Sequence, residues 1–151
     1  MFSSAASGDT DRMEQLLNAG VAPDLLGEHN RTALLTAIDN GHKSTVQMLI
    51  EHGANVNAAT PDGWPPLVYA IMLRRTSIAG LLLFHGADVM ANTILGYSAL
   101  QMAADKGDID MVGLLLGHAE HMNVQLDIAS ALQAASDNGH EEIAYELIRR
   151  G

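Results

Sequence analysis

The chain has 151 residues, a mass of 16.0 kDa and 48% hydrophobic residues, enough for one sizeable core and too apolar for wholesale disorder. A formal charge of −10 excludes broad attraction to a phosphate backbone, and the absence of cysteine excludes disulfide staples and thiolate metal sites. No apolar run approaches the ~20 residues that span a bilayer, and the opening MFSSAASGDT lacks the basic and apolar blocks of a signal peptide, so a soluble cytoplasmic or nuclear protein is expected.

From the N-terminus onward the sequence repeats itself. LLNAG at 16–20 returns as LIEHG at 49–53, LLFHG at 82–86, LLGHA at 115–119 and LIRRG at 147–151, a spacing of 33, 33, 33 and 32. Leu34, Leu67, Leu100 and Leu132 keep the same register, and so do Gly8, Gly41, Gly107 and Gly139. The clearest unit predicts a short helix over Ala33–Asn40, a glycine that ends it, and a second helix over Ser44–His52 with Val46, Leu49 and Ile50 at helical spacing. The turn-forming GANVNA follows. Helices this short are marginal alone, so the units must stack and bury their apolar faces on one another.

The stretch NRTALLTAIDNGHKSTVQMLIEHGANVN at 30–57 resembles the ankyrin repeat, with residues 93–123 and 125–151 matching less fully. The resemblance covers the whole chain as about five units, 1–26, 27–59, 60–92, 93–124 and 125–151, the first and last incomplete, so the chain either carries truncated caps or was cut from a longer protein. It implies an all-α solenoid of stacked helix-turn-helix units with short β-hairpin-like loops, and a concave face that binds a protein partner. Two departures stand out. Arg74 occupies the position of Gly41 and Gly107, and one residue is missing between Asn123 and Leu132, which predicts a distorted hairpin there.

The chemistry-bearing residues read mostly as framework. His52, His85 and His118 fall one per unit, on the order of 10 Å apart in a stack, too far to share an ion. In ankyrin units that histidine commonly bonds backbone of the adjoining loop, so no metal and no cofactor is expected. Neither a nucleophile motif nor a phosphate loop is present, and an enzyme is not expected. Asn57 is similar to asparagines that an oxygen-dependent hydroxylase modifies in ankyrin proteins, which makes it a candidate modification site. With Arg75, Arg74 is expected to pair with Asp105 or Asp108 of the next unit.

Function should lie in positions that the repeat leaves free, the hairpin tips and the ends of the first helices. There the third and fourth units supply Trp64, Met72, Leu73, Ile94, Leu95 and Tyr97, an apolar centre, with Asp39, Asp62 and Asp105 as an acidic rim. The expectation is a monomeric, non-enzymatic interaction module whose protein partner carries apolar and basic residues, with neither nucleic acid nor membrane as target. The alternatives are a regulatory or targeting segment of a larger enzyme and a small inhibitor of an enzyme such as a kinase.

Overall fold

The computed structural model describes all residues 1–151 and contains ten α-helices and no extended strand. They pair as α1 (Phe2–Ser7) with α2 (Thr10–Asn18), α3 (Ala33–Asn40) with α4 (Lys43–Glu51), and α5 (Pro66–Met72) with α6 (Thr76–Phe84). The last two pairs are α7 (Ala99–Lys106) with α8 (Ile109–Met122) and α9 (Ile128–Asp137) with α10 (Glu141–Arg150). First helices pack in one row and second helices in another, giving the all-α solenoid of the sequence reading. None is long and apolar enough to cross a membrane.

Small residues set the spacing of the first row. Ala37, Ala70, Ala103 and Ala135 occupy equivalent positions and are all fully buried, while Leu34, Leu67 and Leu100 fill the space beside them. In the second row Leu49, Leu82, Leu115 and Leu147 form the matching buried ladder. Each buried leucine contributes roughly 1.5–3 kcal/mol relative to an exposed one, so stacking is what holds helices of six to ten residues in place. Side chains fix the starts: Thr32, Ser98 and Asp108 accept from the backbone N–H three residues on, and Pro66 opens α5 where no N–H is needed.

The turns between paired helices carry a second inter-unit ladder. His42 bonds the Ala6 carbonyl at 2.9 Å, the Arg75 guanidinium donates to the Asp39 carbonyl at 2.8 Å, and His140 bonds the Asp105 carbonyl at 3.1 Å. Each of these groups lies flat over a glycine of the preceding unit. A Cβ on Gly8 would sit 2.6 Å from the His42 ring, on Gly41 3.0 Å from the Arg75 guanidinium, and on Gly107 2.7 Å from the His140 ring. Glycine is therefore required there twice over, by the cover and by the left-handed backbone.

Arg74 breaks this rule, and the structure gives the reason. Its backbone is still left-handed at φ 57°, but the unit after it presents Asp108 in place of a ring or guanidinium. A carboxylate cannot donate to a carbonyl, so Asp108 turns to its own helix start, accepting from Met111 N at 3.0 Å and from the Thr76 hydroxyl at 2.7 Å. The position is uncovered, and a side chain fits. The expected pairing of Arg74 or Arg75 with Asp105 or Asp108 does not occur: Arg75 reaches back to the preceding unit, and Arg74 makes no ion pair.

The missing residue after Asn123 removes the hairpin rather than bending it. α8 runs for 14 residues, a turn longer than α4 or α6, until Asn123 ends it at φ 54°, and Asp127 then caps α9 directly. The framework makes a direct forecast at residue 74. Arg74→Gly should raise the unfolding free energy by about 0.5–1 kcal/mol, since the backbone strain is relieved without loss of a contact. Urea titration of the two proteins checks this, and a destabilised variant would contradict it.

Candidate functional site

Three hairpin tips are built alike. The amides of Gly27, Thr60 and Thr93 donate to the carbonyls of Arg31, Trp64 and Tyr97, at 2.9 Å in each case. In the third and fourth units the threonine hydroxyls accept from Trp64 N at 3.0 Å and Tyr97 N at 3.1 Å, which locks both aromatic residues at the start of their first helices. Gly63 and Gly96 supply the positive φ that each tip needs. The same closure in both units puts Trp64 and Tyr97 at equivalent points of adjacent repeats.

The apolar centre divides into two classes. Ile94 and Leu95 are 79% and 77% exposed and Tyr97 44%, large side chains held in solvent by a well-formed tip. Trp64, Met72 and Leu73 are half-buried and pack against the core. Ile94 also joins the two tips, for a Cβ on Gly63 would stand 2.5 Å from its Cγ2. That glycine lets the fourth tip lie on the third.

The acidic rim divides as well. Asp62 and Asp105 are exposed, although Asp105 accepts from the Asn138 amide at 3.1 Å. Asp39 is engaged within the molecule. Its carboxylate accepts from Arg31 Nη2 at 2.7 Å and from the Tyr69 hydroxyl, while the Arg31 guanidinium lies 5.4 Å from the centre of the Tyr69 ring and donates to its oxygen at 3.3 Å. The network ties tip, first-helix end and the next unit's first helix into one rigid piece. Burial, then the hydrogen bond to Asp39, hold the Tyr69 phenol above its ordinary ionisation range, with Arg31 pulling the other way.

Asn57 closes a seam between units. Its side-chain oxygen accepts from Asp88 N at 2.9 Å, as Asp24 accepts from Asn55 N at 2.9 Å one unit earlier. The residue is exposed, but its amide is in use. Of the spaced histidines, His52 bonds the Met48 carbonyl one turn back in its own helix rather than an adjoining loop, and His85 meets the edge of Phe84. No group of three His, Asp or Glu side chains is placed to hold a metal ion.

A second apolar surface escaped the sequence reading. The extra turn of α8 forms one wall of a cleft of about 640 Å³, lined by Phe84, Met90, His118, His121 and Met122 among others, in which Phe84 is 83% exposed. Met90 stands where Asp24 and Asn57 act as acceptors, and with the fourth loop replaced by helix there is no amide left for it to meet. The signal was present in the sequence: Phe84 aligns with Asn18, Glu51 and Gly117, positions otherwise polar or small.

A family model described as ankyrin repeats in three copies matches residues 1–93, and an ankyrin-repeat model matches residues 95–126. The chain is also 32% identical over 63 residues to the ankyrin repeat-containing protein P1E11.10 of Schizosaccharomyces pombe. The match covers 42% of this chain and 30% of that protein, so the chain spans under a third of that relative's length.

The network around Asp39 has a spectroscopic consequence. The folded state holds the Tyr69 proton more tightly than the unfolded chain, so its contribution to stability is complete below about pH 10 and is lost as pH rises through the folded-state value. Phenolate absorbance of the native protein should therefore show a component above the ordinary tyrosine range that Tyr69→Phe removes. Superimposable titration midpoints in the two proteins would contradict the assignment.

Proposed function

The chain belongs to the ankyrin-repeat family, whose repeats form protein-interaction modules that are in general not catalytic, and from that premise we propose that its hairpin tips of repeats three and four bind a protein partner. The observation that carries the proposal is the exposure of Ile94, Leu95 and Tyr97 on a tip that its own hydrogen bonds hold rigid. Apolar side chains held out on a fixed backbone gain on desolvation with no ordering cost for the loop, and this is the character of a hot spot.

Trp64 supports the same surface from beneath. It is partly buried against the core and follows Gly63, over which Ile94 packs, while Met72 and Leu73, also partly buried, extend the proposed surface to the far end of α5. Asp62 and Asp105 border the patch with negative charge, which favours a partner carrying basic residues beside apolar anchors. Asp39 contributes rigidity through Arg31 and Tyr69 rather than a free carboxylate. A concave face lined by the tips and first helices of repeats two to four is the surface this reading assigns, with the protein acting as a monomer and without nucleic acid.

A partner captured from native extract and then purified provides the test. The triple variant Ile94→Ser, Leu95→Ser, Tyr97→Ala should lose at least about 2 kcal/mol of affinity, a thirtyfold change, while its unfolding midpoint stays within a few degrees of the parent. Phe84→Ser serves as the control and should leave affinity unchanged. Full affinity in the folded triple variant would remove the tips from the interface, and a loss confined to Phe84→Ser would move the interface to the cleft against α8.

A further inference from the structure

The distribution of positive charge marks a second surface. Of the 8 lysines and arginines, Arg31, Arg149 and Arg150 are ion-paired at 2.7, 2.8 and 2.7 Å. Lys43, Arg74 and Arg75 have no carboxylate partner, and all three line one cleft of about 380 Å³ together with Gly41, Thr76 and Ser77. In a chain of net charge −10 this is a concentrated positive spot. Asp108, the cap ahead of α8, is a carboxylate in contact with the lining, accepting from the Thr76 hydroxyl and the Met111 amide, and it forms no ion pair with the three cations.

The donors in the cleft are partly unused. Arg75 spends Nη2 on the Asp39 carbonyl at 2.8 Å and buries its Nε over Gly41, which leaves Nη1 without a hydrogen-bond partner. Lys43 and Arg74 are exposed and their side chains make no hydrogen bond, and the exposed Ser77 hydroxyl has no partner. Arg74 stands in a left-handed position that its counterparts fill with glycine, so the third repeat places a guanidinium beside Arg75 where the framework asks for no side chain. The free Arg74 guanidinium, the remaining Nη1 of Arg75, an ammonium and a hydroxyl around a small cleft suit a tetrahedral dianion with several acceptor oxygens.

We propose that the Lys43–Arg74–Arg75 cleft seats the phosphoryl group of a phosphorylated serine or threonine on a protein partner. Charge selects this source of phosphate over extended polyanions. A nucleic acid or an anionic membrane would bring further negative charge against the acidic remainder of the surface, whereas a single phosphoryl group feels mainly the cations within a Debye length of about 8 Å. The cleft lies at the end of α5 opposite the hairpin tip, about 10 Å along the helix, next to Met72 and Leu73, and its residues are distinct from Ile94, Leu95 and Tyr97.

The test is a ¹H–¹⁵N NMR titration of the full 151-residue chain with a short neutral peptide carrying one phosphoserine, beside its unphosphorylated form, inorganic phosphate, and vesicles of phosphatidylcholine with phosphatidylserine. The phosphopeptide should give saturable shifts at the amides of Arg74 to Ser77, and the double variant Lys43→Ala, Arg74→Gly should weaken it about tenfold or more. That variant alters two exposed side chains, and an unchanged spectrum elsewhere verifies its fold. Absent shifts, equal shifts with the unphosphorylated peptide, or unchanged affinity in the folded variant would overturn the proposal. Binding to inorganic phosphate or to vesicles without binding to the phosphopeptide would overturn the assignment to a phosphoprotein.

Discussion

Burial of the alanine and leucine ladders between neighbouring units is the constraint from which the other features descend. Helices of six to ten residues gain little from their own hydrogen bonds once nucleation is counted, and α8, at 14, is the one exception in length. Ala37, Ala70, Ala103 and Ala135 let the first helices approach closely, and the leucines beside them fill the remaining volume. Any residue that faces a neighbour is thereby chosen for shape. Residues that face neither neighbour are released from that demand.

This division explains why the tips can hold exposed apolar side chains without cost to the fold. Thr60 and Thr93 close their turns with backbone and hydroxyl bonds, so the identity of residues 95 and 97 is left open by the framework, while Ile94 also touches the neighbouring tip at Gly63. The same logic operates at the opposite end of the first helices. His42, Arg75 and His140 each bond a carbonyl of the preceding unit and demand a glycine beneath, while Asp108 can do neither and releases position 74 to carry an arginine. A substitution in one unit is answered by the unit that covers it.

Much of this was legible in the sequence because a stacked repeat writes its packing into a fixed register. The helix over Ala33–Asn40 and the irregularity at Arg74 both follow from position within the unit. What the register cannot encode is contact between non-equivalent positions. Asp39 reads from the sequence as one more first-helix end, like Asp105 and Asp137, but Arg31 and Tyr69 occur together only around that unit and enclose it. Arg75 was assigned to the wrong neighbour because its covering role is usually filled by histidine, whose reach toward the preceding carbonyl is not written in charge. Losing one residue from the last loop gave no hint that α8 would continue for a further turn, which created the cleft beside Phe84 and Met90.

The claim that stacking fixes the ladders and frees the tips is tested most directly by comparing two leucines five residues apart. Equilibrium unfolding should show Leu100→Ala, 1% exposed in the stack, losing about 2–5 kcal/mol, and Leu95→Ala, 77% exposed on the tip, changing by less than about 0.5 kcal/mol. Comparable losses at the two positions would mean that the tip is part of the packed framework, and the account of a free surface would fail.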